Sequence, residues 1–326
     1  MDVPAPNNRR RYLKIAAGAM TVGALALAFA LRTPSPVGHW NSAASEDRFL
    51  AAYDRAFEDL PDPAETLDIR TDYGVVRVYR FAGTGTSTHP LLLLPGRSSA
   101  TPVWAANLPG LLTIGDVYTV DLLGEPGRSI QERPITSDED QATWLDQTLA
   151  ALPTDKVHLV GLSIGGWTAA NLALHDSTHL ATLTLIDPAQ TFADIPWRTA
   201  IRALPAAVPW LPKSWRDSFN SYTAGGAEVQ DVPVADMIEA GMQGYSLKLP
   251  QPTRFTEKRV ATLDVPVLAI IAGRSVMHDA QEAVATAERT LPDGTVRVYP
   301  DASHAINGEY PERLRDDIAD FVARHR

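Results

Sequence analysis

Residues 157–170 read V-H-L-V-G-L-S-I-G-G-W-T-A-A, and no other stretch of the chain narrows its accessible folds so far. The apolar run 157–162 predicts a short buried strand. Gly161-Leu162-Ser163-Ile164-Gly165 is a Gly-x-Ser-x-Gly turn, and Trp167-Thr168-Ala169-Ala170 begins a helix. A strand and a helix joined this tightly must approach closely around a strained residue, and Gly161, Gly165 and Gly166 leave out the Cβ atoms that would clash there. The Ser163 hydroxyl is then expected to point out of the sheet. The Ile164 N–H, at the helix start, is expected to face the oxygen of a carbonyl under attack by that serine. The pentapeptide alone recurs by chance in many chains. Its position between a buried strand and a helix makes a nucleophilic serine a better reading than a structural one.

The flanks of the turn extend the pattern. Apolar or alternating strands are expected at 66–70, 75–81, 91–94, 116–121, 180–186, 265–272 and 295–299, and amphipathic helices at 45–60, 138–151, 279–290 and 311–324. Strand and helix alternating in this way imply an α/β fold, with a mostly parallel central sheet flanked by helices on both faces. Between about residues 191 and 263 the alternation lapses into short helical pieces rich in Trp and Pro, an insertion whose size suits a lid.

Composition excludes several classes. With 29 Lys and Arg against 39 Asp and Glu the formal charge is −10, so a sequence-independent grip on nucleic acid is not expected. There is no cysteine, which removes disulfides, thiolate metal sites and a cysteine nucleophile. His175 and His179 are four apart, but no third ligand accompanies them and no metal is expected.

The N-terminus carries an address. Arg9-Arg10-Arg11-Tyr12-Leu13-Lys14 resembles a twin-arginine export signal, and an uncharged Ala- and Gly-rich run over 15–31 follows. Ala28-Phe29-Ala30 offers a small-x-small cleavage site. Residues 1–36 are therefore expected to be a signal peptide or membrane anchor plus spacer, and 37–326 the folded domain. Export is favoured over an uncleaved anchor, because the run is short and weakly hydrophobic for a span.

With strand, elbow, insertion and late histidine in this order, the chain resembles the α/β-hydrolase fold family from about residue 66 onward. The resemblance implies Ser163 as nucleophile and places a second oxyanion N–H at or near Arg97, in Pro95-Gly96-Arg97. It also implies His304, in Asp301-Ala302-Ser303-His304 after the last strand, as general base. His304 follows a strand in a polar turn, whereas His158, His175, His179 and His325 read as ordinary strand, helix or surface positions. The Arg97 side chain is read either as solvent-facing or as a partner for a substrate carboxylate.

The acid departs from the family's pattern. Where the resemblance would put Asp or Glu, Gly273 is followed by Arg274, Ser275 and Val276. Asp187, ending the 180–186 strand, is favoured. Asp279 is the alternative, although Asp279-Ala280-Gln281-Glu282 is also a capping box.

The resemblance implies a lidded serine esterase that needs no cofactor and acts on a small-molecule ester, and the Trp and Pro of the insertion favour one that is partly apolar. Ser163 excludes relatives that use Asp at the elbow, such as haloalkane dehalogenases and epoxide hydrolases. Amide, thioester or C–C hydrolysis, acyl transfer, and a non-catalytic binding protein of the same fold remain as alternatives.

Overall fold

The computed structural model describes residues 35–206, 208 and 211–325, and the N-terminal expectations lie outside them. In chain order the elements are β1 (His39–Trp40), α1 (Ala43–Phe57), β2 (Glu65–Thr71), β3 (Gly74–Phe81), β4 (Leu91–Leu94), β5 (Val117–Val120) and β6 (Ile130–Gln131). They continue with α2 (Asp138–Ala150), β7 (Val157–Leu162), α3 (Ile164–His175) and β8 (Leu180–Ile186). Then come α4 (Trp197–Ala206), α5 (Lys213–Thr223), α6 (Pro233–Gly244), β9 (Tyr245–Ser246), β10 (Val267–Ala272), α7 (Ala280–Thr290), β11 (Gly294–Tyr299) and α8 (Pro311–Arg324), besides several four-residue helical turns.

The main sheet has the order β11-β10-β8-β7-β4-β5-β3-β2, with β6 pairing on β3. Strands from β11 to β5 are parallel, and β2, β3 and β6 add an antiparallel edge. The central strands are apolar at every position or nearly so because both faces are covered. Leu92 and Leu94 of β4 pack with Trp144 of α2 and Trp167 of α3 in one cluster. Leu91 and Leu93 turn to the other face, with Phe49 of α1 and Phe321 of α8.

Two helix starts differ in kind. The Ser137 side chain accepts the Asp140 N–H while Asp140 reaches back, a complete capping box for α2. Helix α3 has no side-chain cap and begins at Ile164, directly after Ser163 and three residues before the expected start. Its first turn contains Gly165 and Gly166 despite their poor helix propensity, because packing outweighs propensity there. A Cβ on Gly165 would lie 2.4 Å from the carbonyl oxygens of both Leu94 and Pro95, and one on Gly161 would lie 2.3 Å from the Gly165 oxygen.

The insertion between β8 and β10 holds α4, α5, α6 and β9. β9 pairs antiparallel with β1 in a separate two-stranded sheet, which ties the insertion to the start of the domain. Among the described residues no helix is long and apolar enough to cross a membrane.

Candidate active site

In a parallel sheet the loops after each strand gather at one edge, so residues far apart in sequence meet there. Six such loops matter: 95–99 after β4, 122–129 after β5, Ser163 after β7, Asp187 after β8, 274–278 after β10 and 301–304 after β11. Ser163 sits at the elbow with φ 56° and ψ −116°, and two further bonds hold it in that strained conformation. Its N–H donates to Ile186 O at 3.0 Å and its carbonyl accepts from Ala189 N at 3.2 Å.

His304 Nε2 lies 2.8 Å from Ser163 Oγ, and His304 Nδ1 lies 2.5 Å from Asp187 Oδ2. A carboxylate accepts only, so Nδ1 carries the proton and Nε2 is left to accept from the serine hydroxyl. The His304 backbone is held as well, its N–H donating to Thr223 O at the end of α5, 3.2 Å away. Next to it, Ser303 donates through N–H and Oγ to Glu309 at 2.8 and 2.6 Å.

Asp187 has φ 43° and is fully buried. Each carboxylate oxygen accepts two hydrogen bonds. Oδ1 takes the Ala272 N–H at 2.9 Å and His278 Nε2 at 2.7 Å. Oδ2 takes Ser275 Oγ at 2.6 Å and His304 Nδ1. Burial pushes this carboxyl up, but the hydrogen bonds and charges of His278 and His304 more than offset it and hold it well below the usual carboxylate range. Burial draws the His278 imidazole down, yet its bond to Asp187 outweighs that and leaves it raised.

Asp279, the alternative acid, accepts the Glu282 N–H at 2.9 Å as the N-cap of α7 and makes no hydrogen bond to His304. Asp279 thus serves as a helix N-cap without the reciprocal half of a capping box, since the Glu282 side chain accepts from Arg254, and the candidate acid beside His304 is Asp187.

The loop after β4 lies against the serine, and a Cβ on Gly96 would come 3.7 Å from Ser163 Cβ. Among the described residues the N–H groups of Arg97 and Ile164 donate to no other group, as two donors kept for an incoming oxygen would. The next N–H is already taken. Ser98, at φ 54°, donates to Oε2 of buried Glu125 at 3.0 Å. The Arg97 side chain turns to the same carboxylate, with Nη1 3.3 Å from Glu125 Oε1. Burial raises the Glu125 carboxyl, against the opposing pull of Arg97 and the Ser98 N–H.

Sequence reasoning missed Glu125, Ser275 and His278. Glu125 stood in a Gly/Pro loop with no motif, and Ser275 was noticed only as the absence of a carboxylate. His175 and His179 stay apart from this cluster. Nδ1 of His175 bonds Asn171 O and that of His179 bonds Asp155 O. Among the described residues no group of three or more His, Asp or Glu side chains could hold a metal ion.

The profile of the Alpha/beta hydrolase family matches residues 91–317, and the chain belongs to that family. It is similar to Carboxylesterase YbfK of Bacillus subtilis, 24% identical over 290 residues that span 84% of this chain and 93% of that protein. A second relative, the uncharacterized carboxylesterase nap of the same organism, is 23% identical over 281 residues, 84% of this chain and 92% of that one. The crystal structure of carboxylesterase CesB (YbfK) superposes with a TM-score of 0.79 at 23% identity, covering 86% of this chain and 99% of that one.

Proposed function

We propose that the protein is a serine hydrolase that cleaves carboxylic esters through an acyl-enzyme. The observation that carries the reading is the continuous hydrogen-bonded line from Ser163 Oγ through His304 to Asp187, at 2.8 and 2.5 Å. Nucleophile, base and orienting acid stand in that order. His304 Nε2 takes the Ser163 proton as Oγ bonds to the acyl carbon, and the Arg97 and Ile164 N–H groups receive the oxyanion. His304 then gives its proton to the leaving alkoxide. Water, deprotonated in turn by His304, adds to the acyl carbon, and the acid leaves as Ser163 regains its proton. Relatives at about 24% identity that carry the name carboxylesterase support an ester as substrate.

The 191–263 insertion acts as a lid in this reading. The cavity beside Arg97 and Ile164 is only about 10 Å³, and Leu249, Pro250 and Pro252 of the insertion line it together with Trp144 and Trp167. That is about the room one water needs, and in this reading the insertion shifts to admit an acyl chain. The apolar lining favours a partly apolar ester. The insertion also reaches the chemistry directly: Thr199 Oγ1 of α4 donates to Val276 O at 2.6 Å, on the loop that bonds Asp187. The twin-arginine-like layout supports export, with the ester met outside the cytoplasm.

Labelling with a fluorophosphonate probe, alongside turnover of p-nitrophenyl esters, tests the reading. Stoichiometric label on Ser163, with loss of both label and turnover in Ser163→Ala, is the expected result. Folded protein that neither labels nor turns over any ester gives the lead to a binding protein of hydrolase fold.

A further inference from the structure

The buried imidazole of His278 has no place in the proposed reaction steps, yet it bonds the same carboxylate as His304. It is 3% exposed and its Nε2 lies 2.7 Å from Asp187 Oδ1. Its Nδ1 is buried with no hydrogen-bond partner of good geometry, lying near the Asp279 backbone. Burying a histidine with one nitrogen unsatisfied is costly, so its bond to Asp187 is the asset that offsets the cost.

Three of the four donors to Asp187 come from 272–278: the Ala272 N–H, Ser275 Oγ and His278 Nε2. The acid thus stands on β8 while its cradle stands on β10 and the loop that follows. The last torsion of an aspartate is broad and roughly two-fold. A carboxylate held by two donors on each oxygen has its plane fixed, and Oδ2 is then held towards His304 Nδ1. With His278 gone, Oδ1 keeps only the Ala272 N–H, and the plane is held less firmly by the three donors that remain.

We propose that His278 is a positioning residue for the ester hydrolysis proposed above, acting through Asp187: it fixes the plane of the carboxylate and draws off part of the negative charge that Asp187 presents to His304. The inference rests on the hydrolase reading. The charged or titratable groups facing His278 are Asp187, His304 beyond it, and Asp279. Arg274, on the same loop, turns instead to Gly225 O of the insertion.

The test compares His278→Leu, which fills similar space without a donor, with His278→Gln, whose side-chain amide can still donate to Asp187. Steady-state kinetics on a p-nitrophenyl ester across pH, with thermal midpoints, give the readouts. In the leucine variant kcat is expected to fall about tenfold or more with KM within twofold. The acid limb of kcat/KM should move to higher pH, because a carboxylate with one donor fewer presents more negative charge to His304. The glutamine variant should recover most of the rate. Wild-type kcat and an unmoved acid limb in folded His278→Leu overturn the proposal, as does a change in KM alone or a rate loss that glutamine does not mend. His278→Met covers a leucine variant that does not fold. If neither apolar variant folds, the side chain serves the fold and the proposal falls. Ser163→Ala run in parallel separates the two ideas: turnover surviving there sinks the hydrolase reading, whatever His278 does.

Discussion

At the scale of single residues, the two aspartates differ in what surrounds them. Asp187 is buried among four donors, whereas Asp279 spends its carboxylate on the α7 N-cap. Asp187→Asn is expected to lower kcat by on the order of 10⁴, since an amide at this place breaks the tautomer and orientation of His304. Asp279→Asn should leave kcat within about twofold, because Asn caps a helix nearly as well as Asp. Parallel kinetics on the two variants check both statements. Glu125 matters through the loop it anchors. Glu125→Ala releases the Ser98 N–H and the Arg97 guanidinium, and kcat is expected to fall by up to about 10²-fold as the Arg97 N–H loses its aim. A smaller change in KM would accompany it.

At the scale of elements, periodicity located most of what the structure contains. β4 and β8 begin and end where their apolar runs do, and α8 spans 311–324 as its amphipathic pattern requires. The pairs β1–β9 and β3–β6 were not legible, because two-residue strands carry no period and depend on partners far along the chain. The elbow is the element most sensitive to change. A methyl group added at Gly165 would meet two backbone carbonyl oxygens at 2.4 Å, which cannot move aside as a flexible side chain could. Gly165→Ala is therefore expected to cost about 2–3 kcal/mol, read as a lower urea midpoint. The same change should slow labelling of Ser163, since α3 carries the Ile164 N–H.

For the molecule as a whole, acid sensitivity follows from His158 in the middle of the sheet. Its nitrogens face Thr182 Oγ1 at 2.9 Å and Ser87 Oγ at 3.3 Å. Burial, with His89 and His325 nearby, lowers its pKa from 6.5 to about 4. A histidine that binds its proton more weakly when folded favours the unfolded chain in acid. Stability should thus fall as pH drops from about 6.5 towards 4, by about 3 kcal/mol for this group in full. Urea midpoints at pH 7 and pH 4.5 test this, and the difference between them should shrink in His158→Gln. An unchanged difference would assign the acid loss to other groups.

The sequence by itself determined the layered α/β fold and the strand-turn-helix that presents Ser163, because hydrophobic periods and tight turns are local properties of a chain. It also singled out His304, from the polar turn after the last strand. Only the tertiary structure decided which aspartate stands against that histidine, 117 residues away in sequence. It alone brought His278 to the same carboxylate across 91 residues and Glu125 to the Ser98 N–H across 27. These partners lie on loops after different strands, and no local pattern encodes which loops a parallel sheet will set side by side.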